Sequence, residues 1–130
     1  MIEVFLDETP GETRGVVVRA GRAEHLCIQR DGDAATHRLG ARSVGRVAEV
    51  VPGLRGAFVV LAEGPGFLPT KAEGEVRVGE KVEVVVTAEP RGGKGPKLKR
   101  LGAGEGEVRL LATGPTVAER LATLAPGVAV

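Results

Sequence analysis

Residues 42 to 101 break into five short apolar stretches, RSVGRVAEVV, GAFVVLA, GFLP, EKVEVVVTAE and KLKRL, separated by Gly, Pro and polar residues. EKVEVVVTAE alternates Val82, Val84 and Val86 against Glu83, Val85 and Thr87, which is the period of a strand. Pro52-Gly53 and the EGPG segment at 63 to 66 read as turns. Gly45, inside a Val-rich stretch, marks a bulge or a sharp coil. Five short strands at this spacing are the rhythm of a small OB-type barrel. The chain carries 20 Gly in 130 residues, about twice the usual share. Each costs a helix interior about 1 kcal/mol. A mainly β fold is therefore expected, a five-stranded OB-type barrel flanked by further strands and one short helix.

The flanks read as smaller units. IEVFLD, RGVVVRA and EHLCIQR, with Pro10-Gly11 and Ala20-Gly21 between them, predict an antiparallel meander. The polar segment DGDAATHRLG, 31 to 40, is expected to be a linker, and GAGEGE after Leu101 a hinge. EVRLLAT reads as one more strand. Thr116 and Glu119 then make a capping box, with Val117, Leu121 and Leu124 as the apolar face of a short helix. The expected organisation is residues 1–40 as N-terminal strands, 41–101 as the barrel, and 102–130 as linker, strand and helix opening a following domain.

Hydrophobic residues make up 42% and charged residues 27% of the chain, an ordinary balance for a folded protein. The formal charge of +1 gives no whole-molecule field to argue from. One Cys excludes an internal disulfide. There is no apolar run of bilayer length, and MIEVFLDETP lacks the basic and apolar regions of a signal peptide. A cytoplasmic protein is expected.

Catalytic motifs are weak. GGKG has no Ser or Thr after the Lys and lacks Walker spacing. Ser43 is the single Ser, with no His beside it in sequence. His25 and Cys27 alternate onto one strand face, but no second ligand pair is near in sequence, so Cys27 reads as a small buried hydrophobe. Asp31 and Asp33 in DGD suit a turn.

Two features stand out. RGGKGPKLKR holds Arg91, Lys94, Lys97, Lys99 and Arg100 without an acid, and Lys97 and Lys99 share a strand face. A Gly-rich loop lets a Lys approach a phosphate, although Lys is equally at home on a solvated edge strand. Phe58 and Phe67, two of only three aromatics, fall on adjacent predicted strands beside small or Gly residues. They are either core residues or exposed platforms on which bases stack beside a basic groove. Spacing leaves both open.

Taken in order, ETRGVVVRAGRAEHLCIQR, GRVAEVVPGLRGAFVVLAEGPGFLP and VRVGEKVEVVVTAEPRGGKGPKL resemble the N-terminal part of the ribonuclease E/G family, over about residues 12 to 101. The middle block resembles that family's S1-type RNA-binding domain. The resemblance implies an S1-type barrel inserted into the start of an RNase H-like fold, to which residues 1–40 and 102–130 would belong. It also implies contact with single-stranded RNA through Phe58, Phe67 and Lys94, with Arg91, Lys97, Lys99, Arg100 and Arg46 as the basic surround. Ser43 and Val44 stand where the family often has an aromatic and a Lys. The family's metal-binding carboxylates lie beyond the part matched, so no catalytic residue and no cofactor is expected within this chain, with Mg expected for a full-length family enzyme. Three functions follow: a single-stranded RNA-binding module, an N-terminal fragment of an endoribonuclease acting in RNA processing, and an OB domain for protein interaction without RNA. Exposed strand edges in the flanks would favour self-association.

Overall fold

The structure is a computed structural model that describes residues 1–30, 32, 34–72, 74–90 and 94–128. Its chain divides into two compact units, residues 1–33 with 115–130, and residues 34–114.

The larger unit is built from the five short apolar stretches between residues 42 and 101. They become β4 (Arg42–Val51), β5 (Gly56–Leu61), β6 (Gly64–Pro69), β7 (Lys81–Ala88) and β8 (Lys97–Ala103). β4 pairs with both β5 and β7, and β6 with β8, so the ring runs β4-β5-β6-β8-β7 and back to β4. This is a closed five-stranded barrel of OB type. Every seam is antiparallel except β6–β8, which is parallel and carries a single bridge, Phe67 opposite Lys97. Alternation sends Val47, Val59, Leu61, Leu68, Val82, Val84, Val86 and Leu98 into one interior cluster. Gly45 sits where a Cβ would press on Val59 Cγ1 and Leu61 Cδ2, so its bare backbone lets the barrel close tightly. β4 and β5 also shift register between Val47 and Glu49, a bulge of the kind that bends barrel strands.

Several sequence expectations change here. The turn after β5 comes at Ala62-Glu63, one residue earlier than EGPG suggested, and β6 begins at Gly64, whose φ of +129° absorbs the reversal. The supposed linker is packed: Ala35–His37 form a 3-10 turn, Thr36 is buried, and Gly40 N donates to Val86 O. The supposed hinge is tied down as well. Gly104 N donates to Lys81 O, Lys81 Nζ to Gly106 O, and the Arg109 guanidinium to the carbonyls of Glu105 and Glu107. The expected extra strand, β9 (Arg109–Ala112), pairs with β4 and so belongs to the barrel unit, not to a following domain.

The smaller unit is the predicted meander, β1 (Ile2–Thr9), β2 (Glu12–Arg19) and β3 (Arg22–Arg30), with α1 (Val117–Leu124) against it. Thr116 Oγ1 accepts from Glu119 N, and Glu119 Oε1 from Thr116 N, completing the capping box. Val117, Leu121 and Ala125 pack with Val4, Val17 and Cys27. Leu124, expected on the buried face, is 37% exposed, and Ala125 takes the inner position. Gly15 makes the approach possible: a Cβ there would lie 2.6 Å from Leu121 Cδ1 and 2.7 Å from Val117 Cγ1. The boundaries drawn from sequence at 40 and 102 thus move to 33 and 114, because the helix finds its apolar partners at the other end of the chain. Among the described residues no helix is long and apolar enough to cross a membrane.

Candidate functional site

Alternation along β5 puts Ala57, Val59 and Leu61 inside and leaves Gly56, Phe58 and Val60 on the outer face. On β6, Gly66 and Leu68 point in, while Phe67 and Pro69 point out. The two-residue turn sets the register so that Phe58 lies directly opposite Phe67. The rings meet edge to face, centroids 5.7 Å apart and planes at 69°. Neither ring is in the barrel interior, and Phe58 is 36% exposed. Phe67 is half-buried because its ring lies over Gly56, where a Cβ would overlap Cζ. The Gly beside the aromatics therefore has a specific task. It leaves room for the Phe67 ring, since a Cβ there would also lie 2.7 Å from Cε1.

The cations gather on one side of this pair. Lys97 is the bridge partner of Phe67, and Phe67 N donates to Pro96 O at 2.8 Å. Lys94 is exposed on the β7–β8 connection. Its neighbour Gly95 is pressed on β6 so closely that a Cβ would overlap the Pro65 carbonyl oxygen. Backbone cannot yield as a side-chain tip can, so Gly95→Ala is expected to lift the connection off β6. It should cost about 1–3 kcal/mol, read as a fall in the urea midpoint. Gly53→Ala, with nothing within 4 Å, should leave that midpoint nearly unchanged.

Lys99 is exposed on the same outer face of β8 as Lys97. Among the described residues Lys94, Lys97 and Lys99 take part in no ion pair. Arg100 behaves differently. It is half-buried, with Nη2 3.1 Å from Glu80 Oε2 and Nε donating to Gly102 O. Its charge is matched locally, so it does not add to the exposed cationic surface expected of it. A register shift between Glu83 and Val84 takes it out of simple alternation. Arg46 is exposed on β4, opposite Val60, and Glu49 opposes Phe58 on the same strand, so one carboxylate borders the ring pair on that side. Arg91, and the Asp31 and Asp33 turn, lie outside the described residues.

Ser43 and Val44 are both 2% exposed. Both are buried, Val44 beside Gly104, so neither offers a surface contact at the ring pair. Ser43 Oγ has no hydrogen-bond partner among the described residues. Cys27 is buried, as a small hydrophobe would be, while His25 is exposed with Nε2 3.6 Å from Glu24. Among the described residues there is no cluster of three His, Cys, Asp or Glu side chains placed to hold a metal.

The sequence reading missed two residues. Arg55, in the β4–β5 connection, is exposed with φ of +51°, a left-handed conformation that costs a non-Gly residue about 1 kcal/mol or more. Lys71 follows β6 and faces the same side of the barrel as Lys97 and Lys99 across an open groove. Arg55 occupies a variable position of the PGLRGAFV stretch and Lys71 comes just after GFLP; neither is part of the basic run, and only the barrel's closure brings Lys71 to a groove shared with it.

No model of a known protein family matches the chain, and no curated protein matches it.

Proposed function

We propose that the barrel binds single-stranded RNA, with Phe58 and Phe67 as the stacking surface and Lys94 and Lys97 as the first phosphate contacts. The observation that carries this reading is the outward Phe58–Phe67 pair bridged directly to Lys97. Two rings at an angle offer two stacking surfaces to successive bases, and stacking tolerates any base because each has a π face. In barrels of this kind the second and third strands and the connections between strands one and two and strands four and five bind oligonucleotides or oligosaccharides. Here those are β5 and β6, residues 52–55, and residues 89–96. Unpaired ammonium groups favour the polyanion over the sugar.

A protein-interaction domain without RNA predicts the two Phe packed inward and the basic run neutralised by Glu. The outward rings, and an ion pair at Arg100 but none at Lys94, Lys97 or Lys99 among the described residues, weigh against it. Within the RNA reading, the resemblance of the three ordered motifs to the N-terminal part of the ribonuclease E/G family supports an alternative, a fragment of such an endoribonuclease whose role is to hold substrate RNA.

The test is binding of a fluorescent single-stranded RNA oligomer across a salt series. Log affinity should fall linearly with log salt, by about 0.7 per phosphate contacted. Absence of binding at low salt by folded protein would refute the reading.

A further inference from the structure

The parallel seam between β6 and β8 carries one bridge, Phe67 to Lys97. Beside it lies a groove of about 440 Å³, within the range of ligand sites, about 300–1,000 Å³. Its floor includes Leu68, Val76 and Leu98, side chains that close the barrel interior. Its walls carry Lys71 on one side and Lys97, Lys99 and Arg100 on the other. Glu75 is the acid among the described lining residues, and its Oε2 already accepts from the backbone N of Lys71 at 2.8 Å. Arg100 is matched by Glu80. Lys71, Lys97 and Lys99 all line this groove and take part in no ion pair among the described residues. Three like charges around an apolar floor repel one another. A bound polyanion relieves that repulsion.

We propose that this groove is the continuation of the RNA path: nucleotides next to those on the Phe pair enter the β6–β8 seam, with phosphates between Lys71 and Lys99 and sugar or base edges on the apolar floor. The inference rests on the RNA reading above. Continuity supplies the argument for this occupant, because Lys97 belongs both to the ring pair, as the partner of Phe67, and to the groove wall. A strand leaving the rings along β8 meets Lys97 first and Lys99 two residues later on the same face. Lys71 is the residue that distinguishes the groove from the platform, since it lies across the seam from β8.

The experiment compares RNA oligomers of about four and about ten nucleotides, respectively at the short end of and within the span OB barrels cover. Wild type, Lys71→Ala, Lys71→Glu and Lys71→Arg are each measured across a salt series. Lys71 is exposed and its backbone N–H bond to Glu75 survives substitution, so the fold is kept. The longer oligomer should bind wild type more tightly than the shorter. Lys71→Ala should lower the salt slope for the longer oligomer by about 0.7 and leave the shorter unaffected. Lys71→Glu should weaken the longer further, and Lys71→Arg should restore it. A longer oligomer whose affinity and slope ignore Lys71 overturns the groove while the ring pair stands. Equal weakening of both lengths also overturns it, since Lys71 would then act only through the general field. Failure of wild type to bind either length overturns the RNA reading itself.

Discussion

The Phe58→Ala/Phe67→Ala double variant should bind single-stranded RNA about 2 kcal/mol or more weakly than wild type, since each base stack is worth roughly 1–3 kcal/mol. This corresponds to roughly a 30-fold rise in Kd. The loss should persist at high salt, because stacking is not a counterion effect, whereas removal of Lys94 should flatten the salt slope. The fold should survive. Both rings lie outside the barrel, and the backbone bond from Phe67 N to Pro96 O does not depend on the side chain. The expected stability loss is the edge-to-face contact, about 0.5–1.5 kcal/mol, plus the seat of Phe67 on Gly56. Circular dichroism and a melting curve separate this modest loss from unfolding. Unchanged affinity in a folded double variant would end the stacking role and make the pair a clasp on the β5–β6 hairpin.

Leu121→Ala should have the largest effect on the smaller unit, about 2–5 kcal/mol. Leu121 is 1% exposed and packs in a cluster whose fully buried members are Val4, Val17, Cys27, Val117, Leu121 and Ala125. It also lies over Gly15, a position with no side chain to swing in and refill the space. A small core has little to redistribute, and total stabilities of about 5–15 kcal/mol leave a limited reserve. Amide hydrogen exchange should show protection lost together in α1 and in β1 to β3, because the helix and sheet share one cluster. Loss confined to α1, with the meander protected as before, would mean that the three strands hold without the helix. Cys27 becoming reactive to a thiol reagent in the variant would give a second readout of the same opening.

These outcomes divide along a physical line. Features governed by neighbours within a few residues are written in the chain. Val alternation and Gly-Pro punctuation determined the five barrel strands, the meander and the mainly β class, because strand period and turn chemistry are local. Thr116 and Glu119 determined where α1 begins, since a capping box closes within one turn. The motif order raised Phe58, Phe67 and Lys94 as candidates before any geometry was known. What depends on pairing between distant segments belonged to the tertiary structure. Whether the two Phe were core or surface depended on the β5–β6 register, and a slip by one residue would have reversed every face. The neutralisation of Arg100 required Glu80, twenty residues away on the connection before β7, and the relevance of Lys71 required a seam between strands not adjacent in sequence. Residues 31–40 and 102–107 read as linker and hinge because they are polar and Gly-rich, yet Gly40 N and Gly104 N donate to β7 and the carbonyls of Glu105 and Glu107 accept from Arg109 of β9. The helix joined the first three strands because its apolar face had partners only across the whole length of the chain. Composition and period decide what each segment prefers to be; the face it shows, the charge it keeps and the partner it buries are decided when the chain closes on itself.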